Sequence, residues 1–188
     1  MPMEDSQIVQ LYWDRDERAI PETAAAYGGY CFTIAYNILG STQDAEECVN
    51  DTWLRAWNSI PPHRPGILPP FLGRITRNLA LHLFQRDHAQ KRGGSEIDLV
   101  FEELAECVSG GASAEQIVDE QELKHAINDF LSALSTKKRK IFVRRYWYAD
   151  SIAQIAARMH MSENGVSVTL YRLRAALRQY LEERGFAV

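Results

Sequence analysis

The segment Ser151–Leu177 has the residue types and the spacing of a nucleic-acid-binding element. It reads SIAQIAARMHMSENGVSVTLYRLRAAL, in which a short helix with one apolar side leads to a tight turn at His160-Met161. Ser162 follows where a helix N-cap is expected. The next helix has an apolar face with helical spacing, formed by Val166, Leu170, Leu173 and Leu177. This pattern predicts a helix-turn-helix, whose second helix places its first turns in the major groove of DNA.

The side chains predicted to contact DNA lie at the start of that second helix and on its polar side. They are Ser162, Glu163, Asn164, Ser167, Val168, Tyr171 and Arg172. We expect phosphate contacts from Lys137–Lys140 and Arg144-Arg145 on the preceding helix, and from Arg174 and Arg178 further along the chain. An ordinary helical hairpin with a basic face would show the same pattern and stays open as an alternative.

Charge is distributed along the chain in blocks. The net charge is −7 over residues 1–60, +5 over 61–95, −9 over 96–135 and +7 over 136–188, although the whole chain has only −4. Lys and Arg bind nucleic acids by displacing the counterions condensed on phosphate. Runs of charge are usually solvated faces, but together with the helix-turn-helix pattern the two basic blocks predict two places where a polyanion binds.

Residue patterns typical of enzymes and metal sites are missing from the sequence. There is no GxxxxGK[ST] or HExxH segment, and the five histidines are scattered. The three cysteines, Cys31, Cys48 and Cys107, have no CxxC or Cys/His ligand spacing, which fits a reducing cytoplasm. We therefore expect no enzymatic activity, no cofactor and no metal, and we expect Cys31 and Cys48 to pack as small apolar residues.

The periodicity along the chain predicts an all-α protein of two small helical domains. We place the first domain at residues 1–90, a flexible acidic linker at 91–114 and the second domain at 115–188. In the first domain, an uncharged stretch over Thr23–Gln43 predicts a buried core helix rather than a membrane span. A further helix ends before Pro61–Pro70, which predicts a stiff loop, and another helix is expected over Phe71–Arg86. The apolar stripe of the helix before the loop consists of Val49, Trp53, Ala56, Trp57 and Ile60.

The chain resembles the extracytoplasmic-function (ECF, group 4) sigma factors of the sigma-70 family in three segments. These are Asp44–Ile60 (DAEECVNDTWLRAWNSI), Phe71–Leu83 (FLGRITRNLALHL) and Ser151–Leu177. Their order and spacing, with no extra domain between the two halves, also fit that group. The resemblance implies a sigma region 2-like helical bundle followed by a sigma region 4-like helix-turn-helix domain. It implies a cytoplasmic factor that directs promoter-specific transcription initiation.

The same resemblance implies roles for particular surfaces. The core polymerase-binding surface would consist of Glu46, Glu47, Asn50, Asp51 and Leu54. The −10 promoter element would be bound by the loop before Phe71, which would hold a base flipped out of the duplex, and by Arg74, Arg77, Asn78 and Arg86. The helix-turn-helix would read the −35 element, and the acidic linker would follow the path of the RNA exit channel. The implied partners are core RNA polymerase, promoter DNA and an anti-sigma factor, without membrane insertion.

Two other classes of protein share part of this pattern. A conventional helix-turn-helix regulator would bind DNA without core polymerase, usually as a dimer on two half-sites. A protein-interaction adaptor would carry the basic faces incidentally. Transcription reconstituted with core polymerase distinguishes the three, because only a sigma factor makes the core enzyme start at a promoter.

Overall fold

The computed structural model of the chain describes residues 3–88, 96–108 and 120–186. All regular secondary structure in these ranges is helical, which confirms the all-α prediction for the described part of the chain. The chain divides into two compact units, residues 1–93 and 94–188. The helices are α1 (Asp5–Trp13), α2 (Ala19–Leu39), α3 (Thr42–Ser59), α4 (Leu68–His88), α5 (Glu96–Val108), α6 (Glu120–Ala133), α7 (Thr136–Tyr146), α8 (Ile152–Met159) and α9 (Glu163–Glu182).

The core of the first unit lies between α2, α3 and α4, each of which packs against the other two, while α1 packs against α2. Helix α2 contains most of the uncharged stretch of the sequence, and Cys31 and Ile34 on it are fully buried. This buried face confirms the predicted core helix. Among the described residues no helix is long and apolar enough to span a bilayer.

Helix α3 begins where Ser41 caps it, with the serine Oγ accepting a hydrogen bond from the Asp44 N–H at 3.3 Å. The predicted apolar stripe faces the core: Trp53, Ala56 and Ile60 are buried, and Val49 and Trp57 are half-buried. Because one side of α3 is used in this way, the opposite side is left to solvent.

The predicted loop over Pro61–Pro70 extends too far. Helix α4 begins at Leu68 rather than at Phe71, so Pro69 and Pro70 lie in its first turn. Proline is tolerated there because the first backbone N–H groups of a helix have no partner within the helix. The loop therefore consists of residues 61–67. Leu68, which follows the loop, is buried in the core.

The second unit contains a helix in the segment where we predicted a linker. Residues 96–108 form α5, which packs against α7 and α9. Ile97 and Val100 on α5 are buried, whereas the side chains of a flexible linker would be exposed to solvent. The remaining parts of the predicted linker, 91–95 and 109–114, lie outside the described residues. The compact second unit, residues 94–188, includes α5, and the domain boundary at residue 115 stays a prediction.

Helix α9 is the centre of the second unit, in contact with α5, α6, α7 and α8. The four residues predicted for its apolar face are all buried: Val166, Leu170, Leu173 and Leu177. The turn between α8 and α9 passes through His160, whose φ of +51° is in the left-handed region. The two helices and this sharp turn form the predicted helix-turn-helix.

Candidate nucleic-acid and partner surfaces

The helix-turn-helix is held in shape by caps at the start of both helices. Ser151 and Gln154 form a capping box on α8, in which each side chain bonds to the other residue's backbone N–H. At the start of α9 the Ser162 Oγ accepts the N–H of Gly165 at 3.1 Å. Ser162, predicted as a DNA contact, is therefore the N-cap of α9.

The solvent-exposed side of α9 brings together the other residues predicted to contact DNA. Glu163, Asn164, Val168, Tyr171 and Arg172 are exposed and Ser167 is half-exposed. Tyr171 is 67% exposed and Val168 is 40% exposed. Two large apolar groups on an otherwise polar helix face are typical of a surface that meets a partner.

The basic residues predicted to contact phosphate divide into two groups. Lys137, Lys138 and Lys140 on α7 are exposed. The Arg139 guanidinium instead donates to the carbonyls of Leu131, Ser132 and Leu134 at 2.8, 2.7 and 3.1 Å, so it caps the end of α6.

The structure buries Arg145 and largely buries Arg174, two arginines that we expected to contact phosphate. Arg145 is 1% exposed and donates to Glu103 at 2.7 Å, to the carbonyl of Asp150 at 3.1 Å and to Glu96. Arg174 is 17% exposed and lies 3.5 Å from Glu103 and 3.1 Å from the Tyr146 hydroxyl. Both arginines are neutralised inside the second unit, because an unpaired charge buried there would cost several kcal/mol.

Glu103 is the acceptor at the centre of this group, which we call the Glu103 cluster: Glu96, Glu103, Arg145, Tyr146 and Arg174. Burial by itself would raise the pKa of Glu103, but the hydrogen bonds and charge of Arg145, with Tyr146 and Arg174, hold that pKa below its ordinary value. The sequence analysis missed Glu96 and Glu103. Glu96 and Glu103 are seven residues apart, which is two helical turns, and Ile97 and Val100 lie between them. This spacing predicts a helix that carries both carboxylates on one side.

A cationic cleft of about 550 Å³ lies between α7 and α8. Its basic lining is Arg139, Lys140, Arg144 and Arg158. One buried carboxylate, Asp150, accepts from Arg144 at 2.8 Å and lies 3.8 Å from Arg158 Nε. The four cations exceed this one anion, which makes the cleft suited to a negatively charged group.

In the first unit, the residues predicted to bind core polymerase lie on one face of α3. The side chains of Glu46, Glu47, Asn50, Asp51 and Leu54 are all exposed. Leu54 is 59% exposed, and the carboxylates of Glu46, Glu47 and Asp51 lie before it along the helix. We call these five residues the α3 face. An exposed leucine within an acidic surface is suited to a protein partner that supplies both apolar and basic groups.

The residues predicted to bind the −10 element lie along α4 but do not all face the same way. Arg74 and Asn78 are exposed and one helical turn apart, and Asn78 lines a cleft of about 360 Å³ that also includes Arg55 and His82. Arg86 is exposed near the end of the helix. Arg77 is only half-exposed, and burial lowers its pKa.

Cys31 and Cys48 are buried, and their thiols are protonated near neutral pH. Burial raises the pKa of Cys31 to about 11 and that of Cys48 to about 12. The reactive form of cysteine is the thiolate, so both thiols are unreactive near neutral pH. This confirms that they pack as small apolar residues, whereas the side chain of Cys107 lies outside the described residues. Within the described residues no group of three His, Cys, Asp or Glu side chains could hold a metal ion.

Two parts of the chain match one family. Residues 24–90 match Sigma-70 region 2, and residues 124–177 match Sigma-70, region 4. The first match covers the α2–α4 core, and the second covers the helices from α6 to most of α9. The fold and the sharp turn between α8 and α9 define a helical protein with a helix-turn-helix. The chain belongs to the sigma-70 family, among its ECF members.

Three individual proteins are similar to this chain, with sequence identities between 23% and 29%. "Probable RNA polymerase sigma factor RfaY" of Xanthomonas campestris pv. campestris is 29% identical over 80% of this chain and 37% of its own length. ECF RNA polymerase sigma factor SigE of Mycolicibacterium smegmatis is 26% identical over 88% of this chain and 64% of its own length. SigW of Bacillus subtilis, also an ECF RNA polymerase sigma factor, is 23% identical over 89% of this chain and 91% of its own length. The chain thus spans less than two thirds of the length of RfaY and SigE.

Proposed function

We propose that this chain is a sigma factor that binds core RNA polymerase and directs it to promoters with defined −10 and −35 elements. The observation that supports this most is the presence of two different surfaces on two separate units. The second unit carries the exposed face of α9, and the first carries the acidic α3 face with Leu54. A conventional regulator needs the exposed face of α9 to bind DNA but has no use for the acidic α3 face.

The α3 face is the proposed site for core polymerase. Its three carboxylates, Glu46, Glu47 and Asp51, would attract a basic surface and speed association. Leu54 would then be buried in the interface, and removal of its apolar surface from water would favour binding.

Helix α4 is the proposed site for the −10 element. Asn78 lines the cleft between α3 and α4 and Arg74 lies one helical turn before it, so an amide and a guanidinium are available to hydrogen-bond to a base or a phosphate. The preceding loop would hold an unstacked base, which costs on the order of a few kcal/mol to extrude. Arg86 would contact the backbone further along. Arg77 is a weaker candidate because it is half-buried.

Helix α9 is the proposed site for the −35 element. Its exposed face would enter the major groove while Lys137, Lys138 and Lys140 of α7 contact phosphates. The cationic cleft between α7 and α8 would take a backbone phosphate. The proposed factor performs no catalytic step itself, since nucleotide addition belongs to the polymerase, and it would act in the cytoplasm where promoter DNA and polymerase meet.

A transcription assay with purified core polymerase tests the proposal. The chain should make core enzyme start at specific sites, and Asp51→Arg should abolish this by placing a positive charge on the α3 face. The matched control is Glu17→Arg, the same charge reversal at an exposed position of the first unit outside that face. Site-specific DNA binding without core enzyme and without initiation would instead identify a conventional regulator. An anti-sigma factor, if this chain has one, should compete with core polymerase for the α3 face.

A further inference from the structure

We propose that Val168 reads the 5-methyl group of a thymine in the major groove. The upstream promoter element would then contain at least one thymine that the protein distinguishes from uracil. The inference rests on the proposed function, in which α9 reads the −35 element. It goes further by assigning a base to one side chain.

The exposed face of α9 presents two side chains on each of three successive turns. They are Glu163 and Asn164, then Ser167 and Val168, then Tyr171 and Arg172. With a pitch of about 5.4 Å per turn, the middle pair lies at the centre of the surface that can reach base edges. Val168 therefore holds the central position of the face.

Val168 lies on the side of α9 that faces away from the core. The apolar residues on either side of it along α9, Val166 and Leu170, are buried at 0% and 1% exposure, whereas Val168 is 40% exposed. Because Val168 is 40% exposed, part of its apolar surface lies in water. Contact with an apolar group of a partner would remove this surface from solvent.

The polar chemistry available near Val168 is limited. Between Ser162 and Tyr171 the helix has no Lys or Arg, so the common bidentate contact to guanine is not available before Arg172. The Ser167 hydroxyl donates to the Glu163 carbonyl at 3.0 Å and so uses its hydrogen within the helix. The middle turn thus offers mainly an aliphatic group.

Thymine is the one DNA base whose major-groove edge carries an apolar group, its C5-methyl. An aliphatic side chain at the centre of the reading face is complementary to that methyl group and to no other feature of an ordinary base pair. Asn164 lies one turn earlier on the same strip, and its amide can bond to N6 and N7 of adenine. We therefore expect an adenine close to the thymine.

The experiment begins with promoter DNA in which the upstream element is randomised. Holoenzyme assembled from core polymerase and this chain selects the bound sequences, and each thymine of the selected element is then replaced by uracil, one at a time. Uracil keeps the base pair and removes only the methyl group. We expect one replacement to weaken holoenzyme binding by about fourfold, the effect of one buried methylene-sized group.

Two variants assign that effect to a residue. Val168→Ser should bind uracil and thymine equally at the sensitive position, because the aliphatic group is gone. The control Ala176→Ser changes an exposed position of α9 outside the reading face and should keep the fourfold difference. Both positions are exposed, and circular dichroism should show an unchanged helical content.

The outcomes separate this inference from the function on which it rests. If holoenzyme selects no sequence at all, both fail. If it selects a promoter whose thymines can all be replaced by uracil without loss, the role of Val168 is overturned and the sigma function stands. Retention of the uracil penalty by Val168→Ser would overturn the role of Val168 in the same way.

Discussion

Arg145 Nη2 donates a hydrogen bond to Glu103 Oε1 at 2.7 Å, although the Arg145 side chain is only 1% exposed. The two residues lie on α7 and α5, so this pair ties the acidic segment to the helix-turn-helix unit. Glu103 also accepts from Tyr146 at 3.0 Å, and Arg174 of α9 lies 3.5 Å away. Helix α5 is thereby a structural part of the unit that contains the DNA-reading helix.

Replacing Glu103 by Gln should destabilise the second unit. Removing one partner of a buried ion pair costs roughly 3–5 kcal/mol, and because the Glu103 side chain is 21% exposed we expect a smaller loss of about 2 kcal/mol. Hydrogen exchange of the α9 amides measures the opening free energy of this unit separately from the first. The control Glu102→Gln removes an exposed carboxylate from the same helix and should change little. Equal protection in the two variants would show that the cluster does not stabilise the unit.

The stability contributed by Glu103 should depend on pH. Its pKa in the folded protein is lowered, so the ionised form is favoured by folding. The contribution is therefore present in full above the ordinary glutamate pKa of about 4.3 and is lost as pH falls through the lower folded value. The difference in opening free energy between the wild type and Glu103→Gln should be constant from neutral pH down to about pH 5 and shrink below that. A difference that grows on acidification would contradict the assignment.

Replacing Leu54 by Ser should weaken core-polymerase binding without weakening the fold. The leucine is 59% exposed, so its loss removes little buried surface in the isolated chain. If it is buried in the complex, we expect affinity to fall about tenfold, equivalent to about 1.4 kcal/mol. The control Ile67→Ser changes another exposed aliphatic residue, at 64%, in the loop before α4. Binding to core enzyme without DNA, measured beside thermal unfolding, tests both expectations, and an unchanged affinity for Leu54→Ser would remove this residue from the contact surface.

His160 should tolerate Gly better than Val. Its φ of +51° is accessible to Gly at no steric cost, whereas a β-branched side chain is strained there. We expect His160→Val to lower the free energy of unfolding by about 1–2 kcal/mol and His160→Gly to leave it within about 0.5 kcal/mol. Denaturant unfolding of both variants measures the two values. If Val is accommodated as well as Gly, the turn does not need a left-handed residue.

Much of the local structure followed from spacing in the sequence. The face of α9 with Val166, Leu170, Leu173 and Leu177, and the stripe of α3 with Trp53 and Ala56, were both predicted and are both buried. Periodicity succeeds in these helices because one side of each packs against a core and must be apolar over several turns. The residues on the opposite sides, such as Asp51, Tyr171 and Arg172, are exposed for the same geometric reason. Their assignment to polymerase or DNA stays a prediction.

Other features depended on which elements meet in three dimensions. A sequence cannot distinguish the exposed lysines of α7 from Arg145 by residue type, since all are cations in one basic block. Arg145 is buried because it shares the inward side of α7 with Ile141, and it is tolerated there because α5 brings Glu96 and Glu103 to it from far along the chain. Only tertiary packing therefore decided which charges remain on the surface, because burying a charge requires a partner that local spacing does not reveal.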